Sequence, residues 1–207
     1  TTHGNHTMDV DGRITKVNDI VFEVTLRTIL NLRKLAPVKV IWSPGNHDHF
    51  ASYMLCFALQ QYFRNDLLVE VDTSLPTKGK QIHKAELWGK TLVGFTHRIV
   101  GRQSNWANEL AQAFPKLWAE SVFREWHHGD QHKKKTMKIT PVDTMGGVVL
   151  RQLTALSPVD KWHTDNLFTD AVPGGEGFIW NKEKGVIAVC MGWTEQYSDH
   201  IDTLIRQ

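Results

Sequence analysis

The chain has 207 residues, 41% of them hydrophobic and 22% charged, with a formal net charge of +2. That length suffices for one domain with a real core, and the composition is that of an ordinary soluble globular protein. The small net charge excludes a global field for nucleic acid, so any such binding must be local. No apolar run reaches the length of a membrane span, and no signal peptide opens the sequence. A membrane partner is therefore not expected. The two cysteines lie in apolar stretches, Cys56 in a helical one and Cys190 in a strand-like one. Both read as small buried hydrophobes in a reducing, cytoplasmic compartment.

Residues 1–14 are polar and turn-rich. Over 15–35, Val17, Ile20, Val21, Val24, Leu26, Ile29, Leu30 and Leu32 recur at near-helical spacing, which predicts a helix ended by Pro37. A buried strand is predicted at 38–42, a helix at 50–63, a strand at 67–71 and a loop at 73–80. Residues 86–96 read as a hairpin turning at Gly89-Lys90, its second strand (91–95) ending at Thr96-His97. An amphipathic helix is predicted over 105–120, interrupted or kinked at Pro115. A strand at 122–126 runs into His127-His128-Gly129-Asp130-Gln131-His132. Beyond it the pattern is β, with strands at 135–141, 147–155, 176–181 and 184–191, the last two joined by residues 181–184. An α/β order that becomes β-rich predicts two packed sheets with flanking helices.

The most specific signal is Gly45-Asn46-His47-Asp48, set between the β-branched run 38–42 and the apolar helix near Phe50. That context is a strand end, a tight turn and a helix start. It places Asn46 and His47 at the carboxyl edge of a sheet, where open α/β sheets bind ligands. Asn46 offers a carbonyl oxygen to a metal, and His47 a nitrogen able to donate a proton. Such a tetrapeptide arises by chance about once in a thousand chains of this length. The plainer reading is a surface Asn/Gly turn. Two further strand ends carry metal-capable residues, namely His97 and Asp130/His132. Separate strand ends converge on one edge, so these positions can share one pocket. A mixed nitrogen and oxygen set suits Mn, Fe or Zn better than Ca or Mg alone.

With these residues the chain resembles the calcineurin-like metallophosphoesterases. Gly45–Asp48 matches that family's Gly-Asn-His-Asp motif in full. Gly94-Phe95-Thr96-His97 resembles its lone-His motif. Gly129-Asp130-Gln131-His132 resembles its Gly-His-x-His motif with Asp130 in place of the first His, and a carboxylate is a chemically tolerable ligand there. Ser157–His163, followed by a Gly-rich hairpin, resembles phage-encoded members related to DNA repair exonucleases, which implies a host cytoplasm.

The resemblance implies a four-layer α/β sandwich of two mixed sheets flanked by helices, with residues 1–207 a single partial domain. It also implies phosphodiester hydrolysis, most plausibly of DNA by exonuclease or endonuclease action. The cofactor implied is a pair of divalent ions, Mn2+ first with Zn2+, Fe2+ or Mg2+ as alternatives, about 3.5–4 Å apart. Asn46, His97 and Asp130 would hold one ion, and His132 would help hold the other. His47 would be the general acid, and Asp48 would orient it. The enzyme alternative is a phosphomonoesterase or cyclic-nucleotide phosphodiesterase. The non-enzyme alternative is a metal-binding remnant serving as an interaction subunit with a partner. The family's Asp-x-His and Gly-Asp motifs should precede Asn46. Upstream of Gly45 stand only Asp9, Asp11 and Asp19, none in either motif. The expectation is an amino-terminally truncated chain whose first strands are missing.

Among the 11 His and eight Trp, His127 and His128 read as strand-edge surface residues, and His3 and His6 as loop. Trp88, Trp118 and Trp180 have apolar neighbours and read as core. Trp162-His163 beside Asp160 could line a groove. Lys133-Lys134-Lys135 reads equally as a solvated run or as a patch that steers phosphodiesters.

Overall fold

The computed structural model describes residues 14–45, 48–75, 83–97, 105–129, 142–156 and 174–193. Helix α1 (Ile14–Arg33) carries no Gly or Pro and unwinds just before Pro37. Arg33 in its last turn pairs with Asp66, which ties the helix end to a later loop. Only Leu26 and Ile29 of its apolar stripe are buried. Val17, Ile20, Val21, Val24 and Leu32 remain exposed. Strand β1 (Val38–Ile41), helix α2 (His49–Tyr62) and strand β2 (Val69–Asp72) follow. β1 and β2 pair in parallel, with Val38 beside Val69 and Val40 beside Val71. These four valines face α1 and α2 and form a core with Trp42, Cys56, Leu59 and Phe63. Strand alternation turns Lys39 and Glu70 to the other side, where Lys39 also pairs with Glu86.

Strands β3 (Lys84–Trp88) and β4 (Thr91–Thr96) form the expected hairpin. The predicted 105–120 helix is two helices, α3 (Trp106–Ala113) and α4 (Pro115–Glu120). The interruption expected at Pro115 is present, because a residue without an N–H sits well in the first turn of the second helix. Strands β5 (Phe123–His128), β6 (Val142–Met145) and β7 (Val148–Gln152) complete a five-stranded mixed sheet of order β3-β4-β5-β7-β6. β4, β5 and β7 run parallel, with Thr96, His128 and Gln152 level at their carboxyl ends. β6 has no counterpart in the sequence expectations, and the expected 135–141 strand lies outside the described residues. Strands β8 (Gly174–Asn181) and β9 (Gly185–Trp193) form an antiparallel hairpin.

α3 and α4 cover one face of the five-stranded sheet, over Leu92, Trp126, Val148 and Leu150. The β8–β9 hairpin lies against the other face. Phe178 packs on His127 with ring centroids 4.6 Å apart, and the Thr154 hydroxyl donates to the Gly174 carbonyl at 2.8 Å. The described chain is thus α/β, with mixed sheets and helices. Among the described residues no helix is long and apolar enough to cross a membrane.

Three expectations are corrected. His127 and His128 are buried, each 4% exposed, because β5 is an interior strand covered on one face by the hairpin and on the other by α3. Trp88 is 46% exposed and not in the core, since it ends β3 at the hairpin turn. Cys190 is exposed. It pairs with Gly177, one position from Phe178, and alternation turns it away from the face that Phe178 buries.

Candidate metal centre

Of the six expected site residues, Asp48 and His97 are described, while Asn46, His47, Asp130 and His132 lie outside the described residues. Gly45, His97 and Gly129, one residue from each motif, are described. β1 ends at Ile41 and leads through Trp42-Ser43-Pro44 to Gly45. A Cβ on residue 45 would lie 3.4 Å from Cε1 of His97 and would collide with the Asp48 carboxylate. A larger residue at position 45 would force the Asp48 side chain to move, and the His97 ring lies against this position. Asp48 flanks α2 in the N-cap position, yet its side chain makes no capping bond. Its backbone carbonyl accepts from the Ser52 amide at 2.8 Å.

His97 follows directly on β4. Its carbonyl accepts a 2.9 Å hydrogen bond from the Gly129 amide, one residue beyond β5. That bond extends the parallel ladder past the Thr96–His128 pair and sets the residue before Asp130 beside His97. The ends of β1, β4 and β5, distant in sequence, therefore meet at one edge. Behind it, Trp42 is buried, with its indole N–H donating to Ser52 Oγ at 3.0 Å. The buried Lys84 ammonium lies over the Trp42 ring and pairs with Asp72 at 2.9 Å. Burial raises the Asp72 pKa, but hydrogen bonds from Ser74 and Lys84 outweigh it and hold the carboxyl below its ordinary range.

Beneath the edge, the two faces of β5 carry different chemistry. On the hairpin face Glu125 is buried and its Oε2 accepts from His127 Nε2 at 3.0 Å and Arg151 Nε at 2.7 Å. Burial opposes its ionisation, yet the His127 and Arg151 hydrogen bonds prevail and hold its pKa at about 2. On the helix face the His128 ring meets Trp106 edge-on, at 5.2 Å and 89°. Burial lowers the His128 pKa, which favours the neutral ring. His83, just before β3, packs edge-on against Trp126 at 5.2 Å, with Nε2 3.7 Å from Glu109. Burial lowers its pKa too.

Sequence reasoning did not single out His83, Ser43 or Trp106. None belongs to a motif, and each gains interest only through a polar atom that is buried without a partner. Among the described residues no three His, Cys, Asp or Glu side chains group as a metal cage. Of the expected site residues the described ones near this turn are the His97 imidazole and the Asp48 carboxylate, side-chain types that divalent metal ions accept. No protein-family model, no curated protein and no solved structure matches the chain.

Proposed function

We propose that the chain is a metal-dependent phosphodiester hydrolase acting on DNA. One observation carries the reading: the Gly45 turn lies against His97, and the His97 carbonyl is bonded to the Gly129 amide, so parts of three motifs distant in sequence are brought together. The layering is compatible with a four-layer sandwich. α1 and α2 back the β1–β2 pair, whose other side reaches β3 through Lys39–Glu86 and Asp72–Lys84, and α3 and α4 back the five-stranded sheet.

In this reading Asn46, His97 and Asp130 hold one divalent ion, Mn2+ by preference, and His132 contributes to a second. The ions, when bound, supply Lewis-acid stabilisation of phosphate charge and lower the pKa of water. The chain's own residues do the rest. His47, one residue from the ligand Asn46, protonates the leaving oxygen as the P–O bond breaks. Asp48 beside Gly45 holds the turn that aims His47. The buried Trp42 and Lys84 keep the end of β1 rigid, so the donors keep their spacing.

The test is hydrolysis by the purified chain with Mn2+ of linear and plasmid DNA, set against p-nitrophenyl phosphate esters. Release of DNA ends with little monoester cleavage supports the reading. Preferential monoester cleavage would assign a small phosphomonoesterase, and metal binding without turnover on any ester would leave a non-catalytic metal-binding subunit. In an active enzyme His47→Ala is expected to cost about 10²–10⁴-fold in kcat with metal content retained. Asn46→Ala is expected to lose metal first. Equal metal loss in both variants would overturn the division of roles.

A further inference from the structure

Trp106 opens α3 and is 3% exposed, and its indole Nε1 is buried without a hydrogen-bond partner. An unmet buried donor is destabilising, so native structures rarely keep one unless a partner arrives from elsewhere. Its position is informative. The ring stands edge-on to His128, which is level with Thr96 at the carboxyl end of the sheet. The next residue, Gly129, donates to the His97 carbonyl. Trp106 therefore packs on the residue before Gly129, whose amide is bonded to the His97 carbonyl.

Two more features set the kind of partner. Indole N–H is a donor only. It stands at the first turn of a helix whose Asn105 N-cap makes no side-chain capping bond, so the backbone donors there also favour a negative acceptor. The neighbouring carboxylates are engaged elsewhere. Glu109 lies toward His83, and Glu125 is bonded to His127 and Arg151 on the opposite face of the sheet. Among the described residues, two of the four other unmet polar atoms lie toward the same edge, Ser43 Oγ after the end of β1 and His83 Nδ1 before β3, whose Lys84 pairs with Phe95, while Thr91 Oγ1 at the start of β4 and Trp180 Nε1 in β8 lie elsewhere.

We infer that the Trp106 indole N–H is a substrate-positioning donor that hydrogen-bonds a phosphate oxygen of a phosphodiester chain bound at this edge. The inference rests on the phosphodiesterase reading above and adds to it a specific contact to the substrate backbone. Such a contact strengthens binding of a diester with nucleosides on both sides of the phosphate. It leaves proton transfer to His47.

The test uses the full chain with Mg2+ and thymidylyl-thymidine, the smallest DNA diester. The Trp106 indole N–H resonance is identified by its disappearance in Trp106→Phe, a variant that keeps an aromatic ring against His128. In the wild type this resonance is expected to move downfield and saturate as the dinucleotide is added. Trp106→Phe is expected to bind it about ten-fold more weakly, the loss of one hydrogen bond to a charged group, with an unchanged or higher Tm. A resonance that stays put, or equal affinity in the two proteins, overturns the assignment. Should Trp106→Phe unfold, the wild-type resonance decides alone, with Trp106→His identifying it. A saturating shift without DNA cleavage by the wild type would retain the Trp106 contact and sink the hydrolase reading. Cleavage with an unmoved resonance would do the reverse.

Discussion

The two faces of the five-stranded sheet bury their side chains by opposite means. On the helix face, Leu92, Trp126, Val148 and Leu150 pack against Trp106, Ala107 and Leu110, and shape does the work. On the hairpin face, Glu125, His127 and Arg151 are buried as a bonded set, capped by Phe178, with the Arg151 guanidinium 5.1 Å from the Phe178 ring centroid. An apolar face gains stability from area removed from water and tolerates exchanges of similar volume. A buried charged set gains little net energy but penalises any arrangement that leaves one member unpaired. The hairpin face is thus suited to hold β5, β7 and the hairpin in one register, and β5 leads directly to Gly129.

The sharpest way to break this contrast is Arg151→Met. It leaves the Glu125 carboxylate buried without its guanidinium and is expected to cost about 3–5 kcal/mol in denaturant unfolding. A loss under about 1 kcal/mol would mean that the face is held by packing alone.

Acid should separate the faces next. The Glu125 pKa falls from an ordinary 4.5 to about 2 on folding. Its contribution is present above the unfolded value and is lost as pH falls through the folded one. The stability gap between wild type and Glu125→Gln should therefore narrow by about 3 kcal/mol from neutral pH to about pH 2. A gap independent of pH would show that the carboxylate is not the group being stabilised.

Gly94→Ala probes the other face. Its Cβ would lie 2.5 Å from Trp126 Cε3 and 2.9 Å from Leu110 Cδ1. Overpacking of this kind is expected to cost about 1–3 kcal/mol, with the same loss at pH 4 as at pH 7. A loss that grows with acid would tie the two faces together.

The smallest effect is expected at Cys190. It points away from the inner side of the hairpin, so Cys190→Ser should change stability by no more than about 0.5 kcal/mol. A larger loss would show that the outer side of the hairpin is covered in solution.

Periodicity and turn chemistry were enough to place most elements and the candidate turn. The apolar repeat before Pro37, the β-branched run ahead of Gly45 and the Gly89-Lys90 turn all have local causes, and α1, β1 and the β3–β4 hairpin formed where those causes lie. The Gly45–Asp48 motif was legible for the same reason, since strand end, turn and helix start are neighbours in sequence. Alternation along β5 also shows that Glu125 and His127 share one face while Trp126 and His128 share the other. What alternation cannot state is which distant segment covers each face.

Tertiary structure decided that, through the β8–β9 hairpin about 50 residues later. It turned two expected surface histidines into buried ones and gave Glu125 its Arg151 partner from β7. It also set His97 against Gly45 and bonded Gly129 to His97, because strand order, unlike strand identity, follows from contacts between segments far apart in the chain. Trp106 shows the limit most plainly. Its sequence neighbourhood marks it as an ordinary helix-start aromatic. Only the fold reveals a buried indole N–H with no partner beside the edge where three strands end.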